Sequence, residues 1–245
     1  MSAPSVSGLS VRGISKRFRG LQAVKAVSFD VPERGLIALI GPNGAGKTTT
    51  FNLIAGVYAP DEGEVTFGGK RLNGMRPDQV CGAGIARTFQ IVRPFAELSV
   101  LDNVLVGCLH AEPHVAAARK QAEEIVDRLG LGSKRQLMAS SLTLPDRKRL
   151  EVARALGTRP RLLLLDEVMA GLRPTEVDQM VAFFREINRD LGVTILLIEH
   201  VMRAVMALAQ YVVVLNHGEK IAEGTPEQVV RNPAVLECYL GEEAV

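Results

Sequence analysis

The chain holds 245 residues, 47% of them apolar, enough for one large α/β domain or for a domain carrying an inserted subdomain. Its 29 basic and 27 acidic residues are mixed along the sequence and leave a formal net charge of +2, which argues against a dedicated nucleic-acid binder. Cys81, Cys108 and Cys238 lie far apart with no C-x-x-C pair, so neither a disulfide framework nor a zinc site is indicated, and no stretch approaches the roughly 20 apolar residues that span a bilayer.

In chain order, residues 11–14 and 27–31 have strand character, and a fully apolar strand follows at 36–40. It runs into G-P-N-G-A-G-K-T at 41–48, which fits G-x-x-x-x-G-K-[ST], and a helix is expected from about Lys47 until Gly56. Strand, glycine-rich turn and helix together predict a nucleoside triphosphate site. The glycines let backbone N–H groups turn inward around phosphate oxygens, and the helix N-terminus adds its positive dipole end. Gly41, Asn43, Gly44, Ala45, Gly46, Lys47, Thr48 and Thr49 are the expected cradle, with Lys47 reaching the β- and γ-phosphates and Thr48 ligating Mg²⁺.

Residues 64–67 followed by Gly68-Gly69 read as one arm of a hairpin, so an antiparallel layer is expected beside the phosphate-binding core. From 98 to about 156 the pattern is helical, with apolar residues at helical spacing over 115–129 and Gly130 ending that run. The α/β pattern then returns. Residues 162–165 form a buried strand before Asp166-Glu167, and Pro174 starts a helix whose apolar positions are Val177, Met180, Val181, Phe184, Ile187 and Leu191, stopped by Gly192. Apolar strands at 193–198 and 211–215, separated by helices, indicate a mostly parallel sheet covered on both faces, and 216–219 reads as a hairpin turn.

An aspartate ending an apolar strand is the second expected component of a P-loop ATPase: Asp166 would hold Mg²⁺ and Glu167 would polarise the attacking water. Gln90 and His200 also end apolar stretches, where ligands bind in sheets of this kind. Gln90 would touch Mg²⁺ and the water, and His200 would donate to the γ-phosphate and orient the base.

The order and spacing of these pieces resemble the nucleotide-binding subunit of ATP-binding cassette transporters across nearly the whole chain. Phe18 falls where that family places an aromatic ring on adenine, Gln90 matches its glutamine loop, Asp166-Glu167 its second nucleotide motif and His200 its switch histidine. The runs G-I-A-R-T-F-Q at 84–90, L-I-E-H at 197–200, I-A-E-G-T-P at 221–226 and C-Y-L-G at 238–241 look like the branched-chain amino-acid uptake group, and more narrowly like the first of its two ATPase subunits.

The resemblance implies one cassette domain over 1–245: an antiparallel layer and P-loop core at 1–90, a helical subdomain at 91–156 and the rest of the α/β core at 157–245. It implies ATP and Mg²⁺ as cofactors, a second ATPase subunit, two membrane permeases and, indirectly, a periplasmic binding protein. The place is then the cytoplasmic face of the inner membrane, held peripherally by the permeases. Residues 91–107, with Phe95, Leu98, Val100 and Leu101, would help form the groove for a permease helix or belong to the subdomain core. Urea, amide or aromatic-acid uptake, lipopolysaccharide export and a weakly hydrolysing regulatory cassette are the alternatives.

One segment departs from the family. Where it has Leu-Ser-Gly-Gly-Gln, this chain has Leu142-Thr143-Leu144-Pro145-Asp146, in a register fixed by the matching stretch 149–156. In the family this signature closes over the γ-phosphate on the other subunit. Thr143 keeps a hydroxyl, but Pro145 replaces a glycine whose N–H donates there, and Asp146 is expected to bring a disfavoured negative charge. A heterodimer with one strong and one weak ATP site is therefore favoured over a homodimer. Val168 where proline is usual and Arg173 where aspartate is usual alter the following loop as well.

Overall fold

In a computed structural model that describes residues 7–90 and 93–240, two sheets share the strand-rich part of the chain. Ile91, at the head of the expected permease segment, and Gly241, at the end of the C-terminal run, lie outside the described residues.

β1 (Ser7–Phe18) and β2 (Leu21–Pro32) form an antiparallel hairpin, each 12 residues long. The sequence pattern marked only residues 11–14 and 27–31 of them, because bulges such as the shift between Val11 and Ile14 break the alternation that identifies a strand. β3 (Leu36–Ile40), α1 (Lys47–Ile54), β4 (Glu62–Phe67), β5 (Lys70–Arg71), α2 (Pro77–Gly82) and β6 (Ile85–Arg87) follow. The helical stretch resolves into α3 (Val100–Ala111), α4 (Val115–Arg128) and α5 (Leu144–Gly157). The remainder is β7 (Leu162–Asp166), α6 (Pro174–Leu191), β8 (Thr194–Ile198), α7 (Met202–Leu208), β9 (Tyr211–Asn216), β10 (Glu219–Gly224), α8 (Pro226–Val229) and α9 (Pro233–Leu240).

The antiparallel sheet has the order β2-β1-β4-β5, and the second has β10-β9-β3-β8-β7-β6, parallel except for the β9–β10 hairpin. This is the α/β architecture of a P-loop core with an antiparallel layer. The central strands are buried on both faces, and their period of two sorts them: Leu36, Ala38 and Ile40 join the core under α3 to α6, while Ile37 and Leu39 join the core under the antiparallel sheet and α1. Gly192 ends α6 with φ +65, but Leu191, an expected core position, is the last helical residue and lies exposed. Val100 and Leu101 are core residues, whereas Phe95 is exposed beneath the Arg154 guanidinium, 4.5 Å from the ring centre.

Parallel order places the carboxyl ends of β3, β8, β7 and β6 side by side. The P-loop leaves β3 there, and Glu199-His200, Asp166-Glu167 and Thr88-Gln90 leave the other three.

Candidate functional site

Between β3 and α1 the chain turns through Gly41, Gly44 and Gly46 at φ +148, +76 and +97. Two of these positions have no room for a side chain. A Cβ on Gly41 would lie 2.0 Å from the Leu215 carbonyl oxygen, and one on Gly46 2.4 Å from that of Ala23. At Gly44 the conformation is left-handed but nothing stands within 4 Å, so that side of the loop is open. The buried Lys47 folds back, its ammonium donating to the carbonyls of Gly41 and Pro42 at 2.7 Å each.

Loop residues 43–49 line one cleft together with Phe18, Gln90 and Glu167. Phe18 is half-buried at the end of β1, edge-on to Tyr58 with ring centres 5.1 Å apart, so it forms a cleft wall rather than core. Gly41, Asp166 and His200 do not line the cleft. Asp166 lies beneath it, 1% exposed, and His200 reaches it through Glu167.

Glu167 stands between two of the other expected residues. Gln90 donates to its Oε2 at 2.8 Å, and His200 Nε2 lies 2.9 Å from its Oε1. Its backbone is at φ +51, in the left-handed region that costs a non-glycine residue about 1–3 kcal/mol. Asp166 accepts from Arg87 at 2.8 Å on one oxygen, while its other oxygen is buried without a hydrogen-bond partner among the described residues. Burial pushes the Asp166 carboxyl above its usual range, and the Arg87 hydrogen bond and charge pull it part of the way back.

Sequence reasoning missed Arg87 and His217 as site residues. Arg87 ends β6 beside the aspartate-bearing strand, bonds Asn52 at 2.5 Å as well as Asp166, and is 10% exposed. Its signal was a cation closing an apolar strand next to an acidic one. His217 lines the cleft from the β9–β10 turn at φ +47, and only the N-H-G turn pattern marks it.

The family described as ABC transporter matches residues 24–170, and the C-terminal family described as branched-chain amino acid ATP-binding cassette transporter matches 219–245. The high-affinity branched-chain amino acid transport ATP-binding protein LivG of Salmonella typhimurium is 41% identical, covering 96% of this chain and 98% of its own. BraF of Pseudomonas aeruginosa, of the same description, is 39% identical over the same shares. The chain belongs to the ABC transporter family. An ATP-binding cassette of an ABC transporter solved in its ADP conformation matches this cassette with a TM-score of 0.87 at 30% identity, covering 96% of this chain and 99% of that one. The cassette is an ATPase that binds adenine nucleotide. No helix among the described residues is long and apolar enough to cross a membrane.

At the expected signature, α5 begins at Leu144 with Thr143 as its N-cap and Pro145 in the first turn. Proline is tolerated there because first-turn N–H groups have no intrahelical acceptor. Asp146 corrects the expectation of an outward negative charge. Its carboxylate is 4% exposed, accepts from Lys134 at 2.5 Å and from the Thr143 hydroxyl at 2.8 Å, and has Arg149 at 3.8 Å. Burial pushes this carboxyl up, but Lys134 and Thr143 more than offset it and hold it below its usual range. Arg147 is turned away, donating to the Ser140 carbonyl at 2.8 Å.

Proposed function

We propose that this cassette is the ATP-hydrolysing subunit of an importer for branched-chain amino acids, working with a second ATPase subunit, two permeases and a periplasmic binding protein. The cargo rests on the names of LivG and BraF and on the C-terminal match at 219–245. The catalytic assignment rests on one observation: Glu167 is held between Gln90 and His200 at the mouth of the P-loop cleft.

In this reading, Gly41 and residues 43–49 cradle the phosphates, Lys47 leaves its own loop carbonyls for the β- and γ-phosphates, and Phe18 stacks on the base. Thr48, Gln90 and Asp166 would hold Mg²⁺. The buried, unpartnered oxygen of Asp166 fits that role. The ion would neutralise charge on the transferring phosphoryl group. Glu167 accepts the proton of the attacking water, while Gln90 and His200 keep the carboxylate aimed.

A groove beside Phe89 and Val106, with Arg154 and Glu151 in its wall, is the surface offered to a permease helix. Cassette and permeases then meet at the membrane's cytoplasmic face.

Replacing Glu167 by Gln tests the assignment. Turnover is expected to fall by about two to four decades with ATP affinity nearly unchanged, because a general base typically supplies that much. Undiminished turnover would sink it. For the cargo, cells lacking the gene should lose uptake of labelled leucine and keep uptake of urea and aromatic amino acids; the reverse pattern moves the cassette to another import system.

A further inference from the structure

Lys148 and Glu199 are buried charged residues that the nucleotide site does not use, 5% and 1% exposed. Both are spent on the short turn that follows β7. The Lys148 ammonium donates to the Glu167 carbonyl at 3.0 Å and to the Ala170 carbonyl at 2.7 Å. Glu199 accepts the Met169 N–H at 2.8 Å. The second Glu199 oxygen is buried without a hydrogen-bond partner among the described residues, and its charge attracts the Lys148 ammonium.

The turn they hold carries strain. Glu167 sits at φ +51, a conformation that persists only where the surroundings over-determine it. Its own N–H is fixed to Ile198 at 2.9 Å, and Ala170 closes the turn on its carbonyl at 3.2 Å. Without Lys148, the Glu167 and Ala170 carbonyls would lose their charged donor and the left-handed residue one of its constraints. The three elements involved are α5, the segment after β8 and the turn after β7. Lys148 rides on α5 one turn beyond Leu144, Glu199 precedes His200, and the turn presents Glu167. Leu144 touches the same turn at its rim, where a Cβ on Gly171 would meet the Leu144 methyl at 3.7 Å.

We propose that Lys148 and Glu199 are a positioning pair that holds the strained Glu167–Ala170 turn in register with the start of α5, so that the catalytic carboxylate moves with the signature. Within the same loop, Val168 is core, and Arg173 pairs with Glu176 in capping α6. The proposal rests on Glu167 being the base.

The test uses the assembled transporter with Lys148→Met, Lys148→Arg, Glu199→Gln and Glu167→Gln. Lys148→Met is expected to lower kcat roughly tenfold or more, the scale of a misplaced catalytic group, with ATP affinity held within about twofold. Hydrogen exchange at the Met169 and Ala170 amides should quicken in step, and Lys148→Arg should restore part of the rate. In the Glu167→Gln background, Lys148→Met should cost nothing further, because coupled residues are not additive. Glu199→Gln keeps size and an acceptor for Met169, so it serves if Lys148→Met does not fold. It should slow turnover about threefold at alkaline pH without loss of melting temperature. Unchanged kcat in both variants, a parallel loss of ATP affinity, or the same loss in the Glu167→Gln background overturns the pair. If Glu167→Gln alone keeps full turnover, the base assignment itself has failed, and the pair's role falls with it.

Discussion

At the P-loop the left-handed turns fall on glycines, two of them pressed against other strands, and the polar lining faces an open cleft; at the start of α5 Thr143 and Asp146 are satisfied inside the chain. Gly41 and Gly46 leave no space for a Cβ, and Gly44 borders empty space. Asp146, by contrast, is enclosed by Lys134, Arg149 and the Thr143 hydroxyl, and Pro145 has no N–H to present. The first region suits an anion, because its left-handed glycines turn the backbone around an open cleft. The second is stable without one. Under the proposed function the cassette would bring a phosphate cradle and a weak signature to a dimer, which is the ground for expecting unequal ATP sites with a different partner subunit.

The strongest way to break that contrast is at Gly46. Gly46→Ala adds a Cβ that meets the Ala23 carbonyl at 2.4 Å, at φ +97. The loop must shift, and ATP affinity measured with a fluorescent analogue should fall on the order of a hundredfold, given strain of about 1–3 kcal/mol plus lost donors. Affinity within threefold of wild type would mean that the loop is not a rigid receptor.

The signature gives a smaller effect of opposite sign. Pro145→Gly restores an N–H at the first turn of α5, and a hydrogen bond to a charged group is worth about 1.5–3 kcal/mol, so steady-state ATPase of the chain alone should rise about tenfold. Asp146→Asn should not raise it. Removing that carboxylate leaves Lys134 and Arg149 without their buried partner and should lower the melting temperature instead. Brisk wild-type turnover that Pro145→Gly leaves unchanged would make a self-sufficient homodimer the better description.

The two regions were not equally legible in the sequence. G-P-N-G-A-G-K-T announces itself because every glycine answers a local backbone demand, and apolar strands ending in Asp166 or His200 fix the sheet and the side of it where ligands bind. Asp146 was misjudged because its partner Lys134 comes from the irregular stretch between α4 and α5, which carries no periodic signal. The Arg87–Asp166 pair and the Lys148 contacts to the Glu167 turn were hidden for a related reason. They join residues 79 and 19 positions apart through a fold that had to exist first.

Buried carboxyls outside the P-loop set the smallest effect. Glu199 and Glu151 are both pushed by burial from 4.5 to about 7, with the Met169 amide and Lys148 opposing this at Glu199 and the Phe89 amide, Arg154 and Lys148 opposing it at Glu151. Between these values the folded chain keeps protons that the unfolded chain has released. The unfolded state therefore binds fewer protons, and stability falls as pH rises through the window, levelling off above about pH 7. Glu199→Gln removes one of the two titrations. Its melting temperature should vary less from about pH 5 to about pH 7.5 and should match or exceed wild type at the upper end. Slower turnover in the same variant would then separate positioning from stability, because a side chain that only supported the fold would move both in one direction. Equal pH slopes in the two proteins would show that Glu199 is already ionised when folded.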